Sequence, residues 1–221
     1  HSDHRRQRQM CIRDSPSIGI LNGLKQIATS YKKNFTDFLS DIDTIIHGTT
    51  HAINAIVTNK IAKTAFLCTK GHPDTLLFRE GGRIEIFNFT VEYPDPYVPR
   101  SLTFEVPERT NYDGSISENL DINHLKKIIL KLKKLKIESV AVCLLWSTIN
   151  PYHEKQIGEV IKNELPNIPF SLSHEVNPTL REYRRASSTC INASLKPIMS
   201  KYLKKIKELL FLNGFSGELL M

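Results

Sequence analysis

The chain of 221 residues is 40% hydrophobic, 24% charged and 8% aromatic, enough apolar material for the core of one domain and part of a second. No run approaches the roughly 18 apolar residues of a membrane span, and 11 prolines and 10 glycines are too few for a fibrous or disordered chain. Cys11, Cys68, Cys143 and Cys190 stand far apart without a C-x-x-C pair, which argues against a zinc site or a disulfide framework and for free thiols in a reducing cytoplasm. A net charge of +7 raises the question of a nucleic-acid or membrane partner.

Residues 1–15, HSDHRRQRQMCIRDS, hold four Arg and two Asp without apolar periodicity, and they lack the hydrophobic stretch of a secretory signal. A basic nucleic-acid arm is one reading; the composition, which resembles translated adaptor sequence, instead favours a leader foreign to the fold. From residue 16 the pattern is α/β. Ile18, Leu21, Leu24, Ile27 and Ala28 repeat at helical spacing over 17–30. Residues 43–46 read as a short buried strand running into His47, Gly48, Thr49 and Thr50, with a helix through Ala52, Ala55 and Ile56. Residues 63–69 read as a second strand, and four prolines make 83–110 irregular. A turn is expected at residues 111–114, where Gly114 tolerates positive φ.

Residues 121–136 form an amphipathic helix by pattern, with Ile122, Leu125, Ile128, Ile129, Leu132 and Leu135 on one stripe. The apolar run 139–145 is expected as a central parallel strand buried on both faces. Pro151 opens another helix, 170–173 make a fourth strand, and a helix from about Ala186 to Leu212 stops at Asn213 and Gly214. Residues 217–221 read as the opening of a strand, so the chain reads as incomplete at both ends. Strands alternating with helices imply a largely parallel sheet.

Six lysines on the helix at 121–136, five on the last helix and the four leading arginines make up half of the 30 cations. With little aromatic interleaving and no nucleic-acid motif, these lysines read as solvated faces. No nucleic acid and no membrane is expected as a partner.

Three groups could carry chemistry. His47, Gly48, Thr49 and Thr50 sit where a strand turns into a helix. The turn offers either an anion site with a histidine donor or a capped helix beside a packed histidine. Arg181, Glu182, Tyr183, Arg184 and Arg185, followed by Ser187, Ser188, Thr189 and Asn192, offer either guanidinium forks for carboxylate or phosphate or an exposed helix start. If the segment is helical, Arg181 and Arg185 share a face. His153 and Glu154 form a pair without further ligands at metal spacing, so no metal site is expected and Glu154 is read as complementing the helix dipole. Trp146, the lone tryptophan, is read as a packing residue.

In order, HGTTHAINAIVTNKIAKTAFLCTKGHPD (47–74), YPDPYVPRSLTFEVPERTNYDGSI (93–116), ESVAVCLLWSTINPYHE (138–154) and SLSHEVNPTLREYRRASSTCINASLKPIMSKYL (171–203) resemble the N-terminal part of the hydantoinase/oxoprolinase family. That family includes N-methylhydantoinases, 5-oxoprolinases and the ATP-binding subunits of acetone and acetophenone carboxylases. The resemblance implies an actin-like ATPase fold with ribonuclease-H-like cores, of which this chain would be the N-terminal lobe. Residues 16–183 would be the family's N-terminal domain and 184–221 the opening of its hydantoinase A domain.

The implied activity is ATP-dependent hydrolysis of a cyclic amide, with ATP and Mg²⁺ as cofactors, a cytoplasmic location and a second, hydantoinase B-type subunit or domain as partner. The ATP-binding subunit of a ketone carboxylase is the alternative enzyme, and a non-catalytic partner-binding module the alternative of another class. Carried over position by position, His47, Gly48, Thr49, Thr50 and Asn54 would line one side of a cleft. Arg181, Glu182, Tyr183, Arg185, Ser188, Thr189 and Asn192 would line the other, with His47, Thr49 and Arg185 as the catalytic candidates. The chain departs from the family at His51, Ile53, His72, Pro73 and Trp146, where Val, Thr, Phe, Arg and His are usual. The family's Asp-x-Gly-Gly-Thr phosphate loop is absent and the leader occupies its place, so the chain as it stands is not expected to be a competent ATPase.

Overall fold

Four short runs rich in apolar residues build the main sheet of the structure, a computed structural model describing residues 16–81, 87–88 and 90–220. The leader expected over 1–15 lies outside the described residues. The described residues divide into two compact units, one within 55–198 and the other of 16–54 with 199–220.

The larger unit is organised on a four-stranded parallel sheet in the order β3-β2-β6-β7, where β2 is Thr64–Thr69, β3 Thr103–Val106, β6 Ser139–Cys143 and β7 Phe170–Leu172. Every residue of β2 and β6 is buried, as a parallel strand covered on both faces requires. Alternation along the strands feeds two cores. Ala65, Leu67, Val140 and Val142 pack with Leu125, Ile128, Ile129 and Leu132 of helix α5 (Ile122–Lys134) and with Ile157 and Ile161 of α6 (Tyr152–Glu164). Phe66, Cys68, Ala141 and Cys143 face Ala186, Cys190 and Ala193 of the long helix α8 (Glu182–Leu212). Each buried aliphatic side chain contributes about 1.5–3 kcal/mol. Asp121 caps α5 by accepting the His124 N–H at 2.9 Å, worth about 1 kcal/mol.

Three expectations are corrected in this unit. Within the stretch read as irregular, Thr103–Val106 is the edge strand of the main sheet, and Arg109–Thr110 (β4) pairs with Ile116–Glu118 (β5) around Gly114 at φ 83°. Pro99 and Pro107 flank the strand instead of interrupting it. The central strand ends at Cys143 and not at 145, because the Leu144 and Leu145 N–H groups turn to side-chain acceptors. Helix α8 begins at Glu182, not Ala186, since Ser188 and Thr189 bond back to the carbonyls of Arg184 and Arg185 and so fit within it.

The smaller unit packs helix α1 (Pro16–Ser30), α2 (Phe35–Ser40) and the end of α8 around Leu39, Tyr202, Ile206, Leu210 and Phe215. Strand β1 (Thr44–Ile46) pairs in parallel with β8 (Glu218–Leu220). The expected buried strand is here an open one: Ile46 is 79% exposed. Gly217 makes the pairing possible, since a Cβ there would lie 2.2 Å from the Asp43 carbonyl oxygen. The stop expected at Gly214 has φ 96°. A short helix α3 (His51–Val57) follows the β1 turn. No helix among the described residues is long and apolar enough to cross a membrane.

Candidate functional site

In the smaller unit, β1 delivers His47 to the carboxyl end of a parallel pair, where the His47 N–H donates to the Leu220 carbonyl at 3.0 Å. Its ring lies with Nε2 at 2.7 Å from the Tyr202 hydroxyl. His51 stacks on Tyr202 with ring centroids 4.7 Å apart. Burial lowers the pKa of His47 from the ordinary value of about 6.5, which favours the neutral imidazole. Thr49 Oγ1 accepts the His51 N–H at 3.1 Å, and Thr50 and Asn54 are exposed. Gly48 has no positive φ, and a Cβ built on it meets no atom within 4 Å. The fold therefore gives no reason for glycine at this position, in contrast to Gly217.

The carboxyl edge of the larger sheet is organised very differently. A buried glutamate, Glu154, accepts at Oε1 from the Leu144 N–H (2.9 Å) and the Ser173 hydroxyl (2.5 Å). At Oε2 it accepts from the His174 N–H (3.1 Å) and His174 Nδ1 (2.6 Å). Burial alone would raise its pKa; the donors from His174, Ser173 and Leu144 outweigh it and hold the carboxyl below the ordinary range. Arg185, 1% exposed, donates from Nε to Ser173 Oγ (3.1 Å) and from its two terminal nitrogens to the Thr179 and Leu144 carbonyls (3.0 and 2.7 Å).

Beside this lies a second buried chain of bonds. The Leu145 N–H donates to Thr69 Oγ1 (3.0 Å), Thr69 donates to Glu108, and His153 Nδ1 donates to Glu108 Oε2 (2.7 Å). Together these groups pin the turn after β6 from several sides. Trp146 in that turn is half-buried and held at φ 55°, a backbone conformation costing about 1–2 kcal/mol for a side chain of this size.

The residues singled out in the sequence are therefore unequally placed. Arg185 is wholly engaged with its own unit's backbone and hydroxyls. Arg181 is exposed, precedes the helix and sits at φ 75°, so it does not share a helical face with the buried Arg185. Thr189 is buried, and Asn177 Nδ2 donates to Ser188 Oγ at 3.0 Å. Asn192 accepts from Ser171 at 2.8 Å. Glu182 and Tyr183 are half-buried. Glu154 is not the surface dipole partner that its helix-start position suggested; its carboxylate is spent on the residues that directly follow β6 and β7. Sequence reasoning passed over Thr69, Glu108, Ser173, His174 and Tyr202, and only the His153–Glu154 pair after Pro151 signalled the network.

Cys68, Cys143 and Cys190 are buried free thiols, and burial pushes the first two up to about 12. Among the described residues no group of three or more His, Cys, Asp or Glu side chains is placed to hold a metal ion.

Residues 3–165 match the model of the hydantoinase/oxoprolinase N-terminal region. The chain is 34% identical over 195 residues to the caprolactamase subunit alpha of Pseudomonas jessenii, covering 87% of this chain and 28% of that protein. It is 29% identical over 218 residues to the acetophenone carboxylase gamma subunit of Aromatoleum aromaticum, covering 93% of this chain and 30% of that one. The crystal structure of the ATP-dependent caprolactamase from Pseudomonas jessenii superposes with a TM-score of 0.80, over 90% of this chain and 29% of that one. The chain thus spans less than a third of the length of these relatives.

Proposed function

We propose that this chain, which belongs to the hydantoinase/oxoprolinase family, is the part of an ATP-dependent enzyme that holds a cyclic amide while its carbonyl oxygen is activated. An unstrained lactam is a poor electrophile. Transfer of the γ-phosphoryl group of ATP to the amide oxygen, with ADP leaving, makes the ring carbon electrophilic. Water adds to it, the C–N bond breaks as the nitrogen takes a proton, and hydrolysis of the resulting acyl phosphate releases phosphate and the open-chain amino acid. The similarity to a caprolactamase subunit and to an ATP-dependent caprolactamase structure supports this reading. We further propose that the lobe is of the actin-like ATPase type, that it works with a second, B-type subunit or domain, and that it acts in the cytoplasm.

The observation that carries the site is the His47–Thr50 turn. It closes the carboxyl end of a parallel strand pair, where open α/β sheets bind ligands. It also contains a glycine that the chain's own packing does not demand. In this reading His47 and Thr49 hold oxygen atoms of the substrate or of phosphate, with Gly48, Thr50 and Asn54 beside them. Arg181, Glu182 and Tyr183 remain proposed contacts. Arg185, Ser188 and Thr189 act through the backbone they brace, and Asn192 through its bond from Ser171. The neutral donors of the turn fit an oxygen-rich ligand such as a phosphate group of ATP. Among the described residues no cluster of three or more His, Cys, Asp or Glu side chains stands ready for Mg²⁺, so in this reading the ion would be carried by the phosphates of ATP.

Similarity over 93% of the chain to an acetophenone carboxylase subunit favours a second reading, ATP-dependent activation for ketone carboxylation. ADP release by the full-length protein, measured with ε-caprolactam, 5-oxoproline and hydantoin and then with acetophenone and bicarbonate, tests both. Release driven by a lactam or hydantoin supports the first reading. Release driven only by ketone with bicarbonate replaces it with the second, and release with none of them leaves neither standing.

A further inference from the structure

Tyr202 lies far from His47 in sequence, on the last helix, at the end of the 171–203 stretch and outside the 47–74 stretch that holds the turn. Its hydroxyl nevertheless meets His47 Nε2 at 2.7 Å, with the two rings tilted by 47° and their centroids 5.9 Å apart. The phenol is held on both sides of this bond. Tyr202 is 8% exposed within the core of the smaller unit. His51, where the family usually carries Val, stacks on its face at 27°.

The bond can run in two directions. If His47 Nε2–H donates, the buried phenol keeps its own O–H, and among the described residues no other acceptor lies within its reach. If the phenol donates, its single proton is used and the Nε2 lone pair is satisfied. The second direction leaves no buried donor unmade, a penalty of about 1–3 kcal/mol avoided. It fixes the proton of the neutral imidazole on Nδ1.

We infer that Tyr202 is a positioning residue that locks His47 as the neutral Nδ1–H tautomer, and that His47 serves as a hydrogen-bond donor to a ligand oxygen, carbonyl or phosphoryl, instead of as a general base. A histidine whose Nε2 lone pair is taken by a phenol, and whose Nδ1 carries the proton, has no free lone pair with which to accept a proton from water. It can still donate one strong, neutral hydrogen bond without attracting a counter-charge. The ligand role rests on the proposed placement of His47 in the site; the tautomer does not.

The test uses full-length protein labelled with ¹⁵N-histidine at pH 7.5, with the His47 signals assigned through His47→Gln. The expected spectrum has Nδ1 protonated and Nε2 unprotonated, and Tyr202→Phe, which keeps the ring stack, shifts the proton toward Nε2, the form free imidazole side chains prefer. Lactam-dependent ADP release by Tyr202→Phe is expected to fall about 10-fold in kcat, the size of effect seen when the partner orienting a metal-binding histidine is removed, with stability reduced by no more than the loss of one hydrogen bond. Adding ε-caprolactam alone or inorganic phosphate alone shows which oxygen perturbs the Nδ1–H signal. An Nε2–H spectrum in the unsubstituted protein, or a tautomer unmoved by Tyr202→Phe, overturns the inference wherever His47 lies. The expected tautomer together with unchanged turnover in both Tyr202→Phe and His47→Gln overturns the ligand role and removes His47 from the site.

Discussion

The turn after β1 and the turn after β6 occupy equivalent places, each following a strand at the carboxyl end of a parallel arrangement, yet they are built on opposite principles. The Leu144–Ser147 turn is clamped by Glu154, Arg185, Ser173 and Thr69, all buried, and even Trp146 is kept in a left-handed conformation. The His47–Thr50 turn has a backbone bond to Leu220, a hydroxyl bond to Tyr202, a Thr49 cap and bonds from Asn54 to the Thr50 carbonyl and hydroxyl, with Gly48 and Thr50 exposed. Polar groups buried among their own partners are spent on the fold. Polar groups at an open strand end, each with few partners and beside a glycine that packing does not need, keep capacity for a ligand outside the chain.

The largest expected effect would break the clamped turn. Arg185→Ala leaves the Leu144 and Thr179 carbonyls and the Ser173–Glu154 pair without their cation, and the same holds in reverse for Glu154→Ala. Each is expected to cost about 3–5 kcal/mol, the penalty for stranding one member of a buried charged network, read as a lower midpoint in urea unfolding. A loss below 1 kcal/mol would mean that the network is not closed in solution. Gly217→Ala comes next and shows that the smaller unit has a tight point of its own. Its Cβ must displace the Asp43 backbone, so a loss of about 1–3 kcal/mol is expected, with hydrogen exchange accelerated in β1 and β8.

The pH dependence of the clamp follows from its sign. A glutamate whose folded pKa is depressed adds stability above its unfolded value of about 4.3, and that stability is lost as pH falls through the lower folded value. The stability gap between the protein and Glu154→Gln should therefore be full at pH 7 and shrink below about pH 4. A gap that widens on acidification would contradict the assignment. The smallest effect on stability is expected at the open turn. Gly48→Ala should change stability by no more than about 0.5 kcal/mol while lowering lactam-dependent ADP release at least tenfold.

The elements of the larger sheet were legible because burial on both faces demands continuous apolar runs, as at Val140, Ala141 and Val142, and because the α5 stripe repeats at helical spacing. Strand β3 was hidden between two prolines that read as breakers when they are in fact boundaries. The buried network was hidden for another reason. Glu154 at a helix start and Glu108 in a proline-rich stretch look like surface residues, and only the three-dimensional meeting of β2, β3, β6 and β7 makes them interior. The His47 turn was readable as a strand–glycine–threonine pattern, but its partner Tyr202 lies on an ordinary amphipathic helix. Nothing local distinguishes it there from a core aromatic.

The claim that the open turn meets ligand while the clamped turn serves the fold is tested most directly by His47→Gln in the full-length protein, assayed for ε-caprolactam-dependent ADP release beside its melting temperature. The account predicts turnover reduced at least tenfold with the melting temperature unchanged. Unchanged turnover, or a loss of activity accompanied by an equal loss of stability, would contradict it.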